Sequence, residues 1–163
     1  MNGAQALLQT LVASGVEVCF ANPGTSEMQL VAAIGQTEQM RPVLCLYEGV
    51  VSGAADGYAR MAGRPALTLL HLGSGFSNSL ANLHNARRAG SPVVNVVGDH
   101  AGYHLQYDAP LTSDLPGIVR WGSHWSEVAD SPDALAAAGA RAVQAAMANN
   151  GQIATVIAPA DCA

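Results

Sequence analysis

The chain has 163 residues with a formal net charge of −5; 50% of its residues are hydrophobic and 5% are aromatic. This length fits one domain, and the hydrophobic fraction excludes intrinsic disorder. All seven basic residues are arginines, which excludes a Schiff-base lysine and a Walker-type phosphate lysine within this chain. The acidic balance and the scatter of the arginines along the sequence argue against a nucleic-acid partner.

The cysteines and the apolar runs indicate the cellular compartment in which the protein is expected. Cys19, Cys45 and Cys162 show no C-x-x-C spacing, and two of them sit inside apolar runs, as buried free thiols do. The first segment carries no basic n-region, and Gly, Pro or polar residues interrupt every apolar run before it reaches membrane-spanning length. We therefore expect a cytoplasmic protein with no membrane partner.

Short apolar runs alternate with helical patterns along the chain. The runs predicted to be strands are Val16–Phe20, Pro42–Leu46, Ala66–Leu72, Pro92–Val97 and Ile153–Ala158, with a less regular sixth at Val119–Trp125. The segments predicted to be helices are Ala4–Ala13, Ser26–Ile34, Gly49–Met61, Phe76–Arg88 and Pro132–Ala148. Near-continuous hydrophobicity is typical of parallel strands buried on both faces. The alternation predicts an α/β fold, a doubly wound, mainly parallel sheet of about six strands with helices on both faces.

In such folds ligands bind beyond the carboxyl ends of the strands, so the strand-to-helix turns matter most. The first turn reads Asn22-Pro23-Gly24-Thr25-Ser26-Glu27. Pro23 fixes the backbone, Gly24 admits a close approach, and Thr25 or Ser26 can cap the following helix. A plain Pro-Gly turn with a helix cap explains the same residues without a ligand.

The second turn contains Glu48, which follows the strand predicted at Pro42–Leu46. Partial desolvation at the end of a buried strand favours the protonated carboxyl, which can deliver a proton to a ring nitrogen. The alternative is that Glu48 only begins a helix, where the helix dipole favours a negative charge.

The third turn runs from His71 through Gly73-Ser74-Gly75 to Asn78. It is similar to the G-x-G-x-x-G dinucleotide fingerprint, with Asn78 in place of the third glycine and Asp99 after the next strand. A Rossmann-like dinucleotide-binding module is therefore an alternative function. His71 fits either a hydrogen-bonded core residue or a residue that transfers protons.

In order and spacing, these motifs resemble the pyrimidine-binding N-terminal domain of the thiamine-diphosphate-dependent 2-oxo-acid enzymes, the group of acetolactate synthase and benzoylformate decarboxylase. The matching segments are Asn22–Thr25, Glu48 with Ala55–Arg60, Gly63–Pro65, Gly73–Gly75 with Asn78, and Ser91–Val93 with Gly98-Asp99. Two positions depart from the family pattern. Tyr47 replaces the histidine that usually precedes the glutamate, and Gly73-Ser74-Gly75 replaces Gly-Pro-Gly.

The resemblance implies roles for individual residues. Glu48 matches the glutamate that hydrogen-bonds the cofactor's aminopyrimidine ring and promotes loss of the thiazolium proton, after which a 2-oxo acid is decarboxylated. His71 matches an active-site histidine of benzoylformate decarboxylase, so Glu48 and His71 are the expected catalytic residues. The residues expected to bind the cofactor are Asn22, Pro23, Gly24, Thr25, Glu48 and Asn78. The outcome would be simple decarboxylation or acetolactate-synthase-like carboligation.

The resemblance also implies what must come from elsewhere. Family members bind Mg²⁺ and the diphosphate through a Gly-Asp-Gly segment in a second domain, and this sequence contains no such segment. We therefore expect residues 1–163 to form a pyrimidine-binding domain that is inactive alone, either excised from a longer chain or a free subunit of a two-chain decarboxylase. The expected cofactors are thiamine diphosphate and Mg²⁺, the latter on the other domain, with FAD left open for a full-length protein. A homodimer or homotetramer with active sites between chains is expected, with no metal ligands in this chain.

Overall fold

A computed structural model describes all residues 1–163 and contains a six-stranded sheet in which every neighbouring pair is parallel. The strands are β1 (Val18–Asn22), β2 (Arg41–Leu44), β3 (Ala66–His71), β4 (Val93–Asp99), β5 (Trp125–Val128) and β6 (Ile153–Pro159). Their order across the sheet is β2-β1-β3-β4-β6-β5. The predicted doubly wound parallel sheet is confirmed.

Helices cover both faces of this sheet. They are α1 (Gly3–Ala13), α2 (Met28–Gly35), α3 (Glu48–Ala62), α4 (Leu72–Ala89), α5 (Leu115–Gly122) and α6 (Pro132–Met147). Helices α1, α2 and α6 pack over one face with a cluster of 25 buried residues, and α3, α4 and α5 pack over the other with a cluster of 14. None of the helices combines the length and the hydrophobicity needed to cross a bilayer.

The sixth strand lies elsewhere than the sequence pattern predicted. Val119 belongs to helix α5, and the strand begins only at Trp125. The side chain of Asp114 caps α5 by accepting a hydrogen bond from the Gly117 N–H at 3.0 Å, while Leu115 and Val119, one turn apart, face the core. The Asp-x-Pro start and this spacing were the signal for a helix.

The prediction that the strands are buried on both faces is wrong for one of them. Strand β2 lies at the edge of the sheet, and three of its four residues are exposed. By contrast, every residue of β3 except His71 is buried. The central strands are therefore the buried part of the sheet, and the carboxyl end of β3 carries His71.

Candidate functional site

The carboxylate of Glu48 is held by helix α4. Glu48 is the first residue of α3, and its Oε2 accepts a hydrogen bond from Asn78 Nδ2 at 3.0 Å. Its backbone carbonyl accepts a hydrogen bond from the Ser79 hydroxyl at 3.1 Å. Because Asn78 and Ser79 are neighbours on α4, one helix fixes both the backbone and the carboxylate of Glu48.

The second carboxylate oxygen of Glu48 remains available. A Cβ atom on Gly75 would stand 3.2 Å from Oε1, so the glycine lets helix α4 approach the carboxylate closely. Oε1 makes no hydrogen bond within the chain, and the side chain is half-buried. Glu48 can therefore form one directed hydrogen bond to a ligand, which is what a pyrimidine ring nitrogen requires.

Asn22 positions the segment that leads into Glu48. Its Nδ2 donates to the carbonyl oxygen of Cys45 at 2.8 Å, and the Cys45 N–H donates to the Ala21 carbonyl at 2.9 Å. The end of β1 therefore holds the connection between β2 and α3. The amide nitrogen of Asn22 is thus already engaged with the chain.

His71 is paired with Glu27, which the sequence analysis did not single out. His71 Nδ1 lies 2.8 Å from Glu27 Oε2, and this oxygen also accepts a hydrogen bond from the Gly24 N–H at 2.6 Å. A Cβ atom on Gly24 would lie 2.4 Å from the His71 ring, so the turn needs a glycine there. Gly24 and His71, both predicted from sequence, are thereby brought into contact.

The environment of Glu27 is unusual for a carboxylate. The residue is fully buried, and burial raises its pKa although the Gly24 N–H and His71 act in the opposite direction. Its Oε1 is buried without a hydrogen-bond partner and lies against Gly98 at the end of β4, where a Cβ atom would approach to 1.8 Å. Burial also raises the pKa of the next residue, Asp99.

The turn after His71 is strained rather than open. Leu72 is buried and adopts a left-handed backbone with φ of 53°, which side chains of this kind rarely do. Gly73 and Gly75 lie within the first turns of α4, against Ser113 and Glu48 respectively. Both glycines therefore allow close packing of α4 against neighbouring side chains, which accounts for them without a bound pyrophosphate.

The remaining predicted residues have simpler surroundings. Pro23 lines a small apolar cavity of about 180 Å³. Thr25 is exposed, and neither Thr25 nor Ser26 caps the helix as expected, because Gly24 and Glu27 occupy the N-cap positions in this segment. No three His, Cys, Asp or Glu side chains are grouped so that they could hold a metal ion.

Large apolar side chains are exposed around Glu48. The exposed fractions are 71% for Leu44, 90% for Leu46, 51% for Tyr47 and 55% for Val50. Contiguous exposed apolar side chains of this size mark an interaction surface.

Comparisons with known proteins agree with this geometry. The family model described as "Thiamine pyrophosphate enzyme, N-terminal TPP binding domain" matches residues 1–119. A Mycobacterium tuberculosis protein with the provisional name acetolactate synthase large subunit IlvX is 60% identical over 161 residues, which are 99% of this chain and 31% of that protein. Benzoylformate decarboxylase of Pseudomonas aeruginosa is 34% identical over 129 residues, which are 76% of this chain and 24% of that protein.

A solved structure shows the same fold. The thiamine diphosphate-dependent 4-hydroxybenzoylformate decarboxylase of Rhodococcus jostii RHA1 superposes with a TM-score of 0.92 at 26% identity, covering 99% of this chain and 31% of that one. The chain thus spans about a third of the length of the relatives it matches. It belongs to the thiamine pyrophosphate enzyme family and carries that family's N-terminal, cofactor-binding domain.

Proposed function

We propose that this chain is the pyrimidine-binding part of a thiamine-diphosphate-dependent enzyme that decarboxylates a 2-oxo acid. The observation that carries the proposal is the hydrogen bonding of the Glu48 carboxylate. Asn78 holds one oxygen, while the other is free to hydrogen-bond a ring nitrogen. When bound, the cofactor supplies the carbon nucleophile and the electron acceptor for decarboxylation.

In the proposed pyrimidine site, Glu48 and Asn78 form one side, and the turn from Asn22 to Thr25 forms the other. Gly24 brings the backbone close to His71, and Thr25 leaves its hydroxyl exposed. Asn22 and Asn78 contribute by positioning, since their amide nitrogens hold Cys45 and Glu48. Pro23 stiffens the turn between them.

His71 is the proposed proton carrier. Its Nδ1 shares a proton with Glu27, which leaves Nε2 as the ring nitrogen without a partner in the chain. A histidine oriented by a buried carboxylate is the arrangement that general acid–base catalysis uses. Because a proton carrier favours protonation of the product carbon, the pair supports simple decarboxylation over carboligation.

The exposed apolar side chains near Glu48 are the proposed docking site of a diphosphate-binding domain or subunit. Leu46 and Val50 flank Glu48 in sequence, so a partner seated on them would also close the cofactor site. A homodimer or homotetramer with active sites between chains fits this surface. We assign Mg²⁺ to that partner and assign neither Mg²⁺ nor FAD to this chain.

The three cysteines support a cytoplasmic location. Cys19, Cys45 and Cys162 are all buried free thiols, as a reducing compartment keeps them. Burial raises the pKa of Cys19 to about 12, so this thiol is unreactive at neutral pH.

The test is the substitution Glu48→Gln in the full-length protein loaded with thiamine diphosphate and Mg²⁺. Exchange of the thiazolium C2 proton, followed by NMR, should slow by roughly 100-fold or more. Glu38→Gln, which changes an exposed glutamate without side-chain hydrogen bonds, should leave exchange at the wild-type rate. Undiminished exchange in Glu48→Gln would overturn the assignment. If exchange slows as expected, a panel of 2-oxo acids assayed with the wild-type protein identifies the substrate.

A further inference from the structure

A basic cleft lies near the amino ends of the strands, whereas Glu48 lies near their carboxyl ends. The cleft has a volume of about 440 Å³ and is lined by His84, Arg87, Arg88, Arg120, Trp121 and Gly122. These residues come from the last turns of α4 and α5. The arginines are scattered along the sequence, but the fold brings three of the seven into one cleft.

The positive charge of the basic cleft is not neutralised within the chain. Arg60, Arg64 and Arg141 each pair with a carboxylate, whereas no carboxylate lies within salt-bridge distance of Arg87, Arg88 or Arg120. Arg87 donates only to the backbone carbonyl of Trp121, at 3.3 Å. Burial and the charge of Arg87 together lower the pKa of the nearby His124 imidazole. Three guanidinium groups without counter-charges favour an anion with several acceptor oxygens.

An apolar cleft adjoins the basic one. It shares His84 and Trp121 with the basic cleft, has a volume of about 510 Å³ and adds Leu80, Ala81 and Asn85. Trp121 is 62% exposed, although an indole ring of this size is usually well buried. The two clefts therefore place a ring-binding surface directly beside a group of guanidinium donors.

We propose that the basic cleft binds a phosphate-bearing ring compound of the nucleoside diphosphate class. The ring lies on Trp121, and the phosphates lie among Arg87, Arg88 and Arg120. The arginines of this site are separate from the cofactor site, because Arg87 lies nine residues beyond Asn78 on α4, about 14 Å along the helix. The inference does not depend on the proposed reaction.

The experiment is calorimetric titration of the full-length protein, saturated with thiamine diphosphate and Mg²⁺, with ADP, inorganic pyrophosphate and adenosine. ADP should bind more tightly than either of the others, and its affinity should fall with rising salt. The double variant Arg88→Ala/Arg120→Ala and the variant Trp121→Ala should each weaken ADP binding by about tenfold or more. The affinity for thiamine diphosphate should stay unchanged in both.

Arg41→Ala is the matched control, since Arg41 is also exposed and makes no salt bridge but lies on β2. It should bind ADP as the wild type does. Failure of ADP to bind, or ADP binding that the cleft variants leave intact, would overturn the proposal. Equal affinity for pyrophosphate and ADP would overturn the role of Trp121, and equal affinity for adenosine and ADP would overturn that of the arginines.

Discussion

His71 Nδ1 lies 2.8 Å from Oε2 of Glu27, and the Glu27 side chain is completely buried while that of His71 is 20% exposed. Glu27 is therefore enclosed by the protein, whereas His71 is partly accessible at the surface. The strained Leu72 follows His71 directly, so backbone and side chain are both fixed at this strand end.

Removing the imidazole should slow turnover without weakening cofactor binding. We expect His71→Ala to lower kcat for decarboxylation by roughly 100-fold, the usual contribution of a positioned acid–base group. Glu27→Gln should lower kcat less, because the imidazole ring remains. The ring loses only the carboxylate that orients it and holds the proton on Nδ1. Steady-state kinetics and a cofactor titration on the same preparations measure both effects. Wild-type kcat in His71→Ala would assign this histidine to packing alone.

Glu27 should also make stability depend on pH. The pKa of Glu27 in the folded chain is raised above its ordinary value of 4.5. At a pH between the ordinary pKa and the raised pKa, the folded state therefore binds more protons than the unfolded state. Its contribution to the free energy of unfolding is therefore fully present at low pH and is lost as pH rises through the raised pKa. Because glutamine does not titrate, the stability of the wild type relative to Glu27→Gln should fall as pH rises from about 4. Urea unfolding of both proteins across this range measures the trend, and a constant difference would contradict it.

Gly98 should tolerate no side chain. A Cβ atom there would stand 1.8 Å from Glu27 Oε1, which is buried. Gly98→Ala should therefore destabilise the fold by about 1–3 kcal/mol, as overpacking of a core does, and disturb His71 through Glu27. The control is Gly57→Ala on the exposed side of α3, where no atom lies within 4 Å of the new Cβ. It should stabilise the helix by about 0.5–1 kcal/mol, and equal effects of the two changes in denaturant unfolding would contradict the steric account.

Local patterns were enough to predict the parallel sheet and the turns that carry Glu48 and His71. These features depend on neighbouring residues, such as a strand followed by a glycine-containing turn. The Glu27–His71 contact joins residues 44 positions apart, and nothing near Glu27 distinguishes it from a solvated helix-start carboxylate. The basic cleft was hidden for the same reason, because Arg120 meets Arg87 and Arg88 only through the packing of α5 against α4.

The left-handed Leu72 had no signal at all, since glycine rather than leucine normally marks such a backbone. The misplaced sixth strand has a different cause. Val119–Trp125 contains enough apolar residues for a strand, and the capping residue Asp114, which marks the start of the helix, lies five residues before this segment. The assignments of individual residues to cofactor binding stay predictions until the Glu48 and His71 variants are measured.

Asn95 should couple the three central strands on which the site rests. Its side chain is fully buried; Oδ1 accepts a hydrogen bond from Thr68 Oγ1 at 2.7 Å, and Nδ2 donates to Thr155 Oγ1 at 3.0 Å. Thr68 lies on β3 and Thr155 on β6, each directly beside Asn95 in the strand register. These strands end at His71, Asp99 and Pro159, so the polar contacts fix the relative positions of the strand ends.

Asn95→Leu should destabilise the protein by about 2–3 kcal/mol, because the buried Thr68 hydroxyl loses its hydrogen-bond acceptor. Thr68→Val alone should cost about 1–2 kcal/mol, since it leaves the Asn95 Oδ1 oxygen unpaired. The double variant Thr68→Val/Asn95→Leu replaces both partners by apolar groups of similar shape, so it should cost less than the sum of the single changes. The double-mutant cycle should give a coupling of about 1 kcal/mol or more in urea unfolding. Strict additivity would mean that the two side chains stabilise the sheet independently, and the strand ends would then owe their positions to backbone pairing alone.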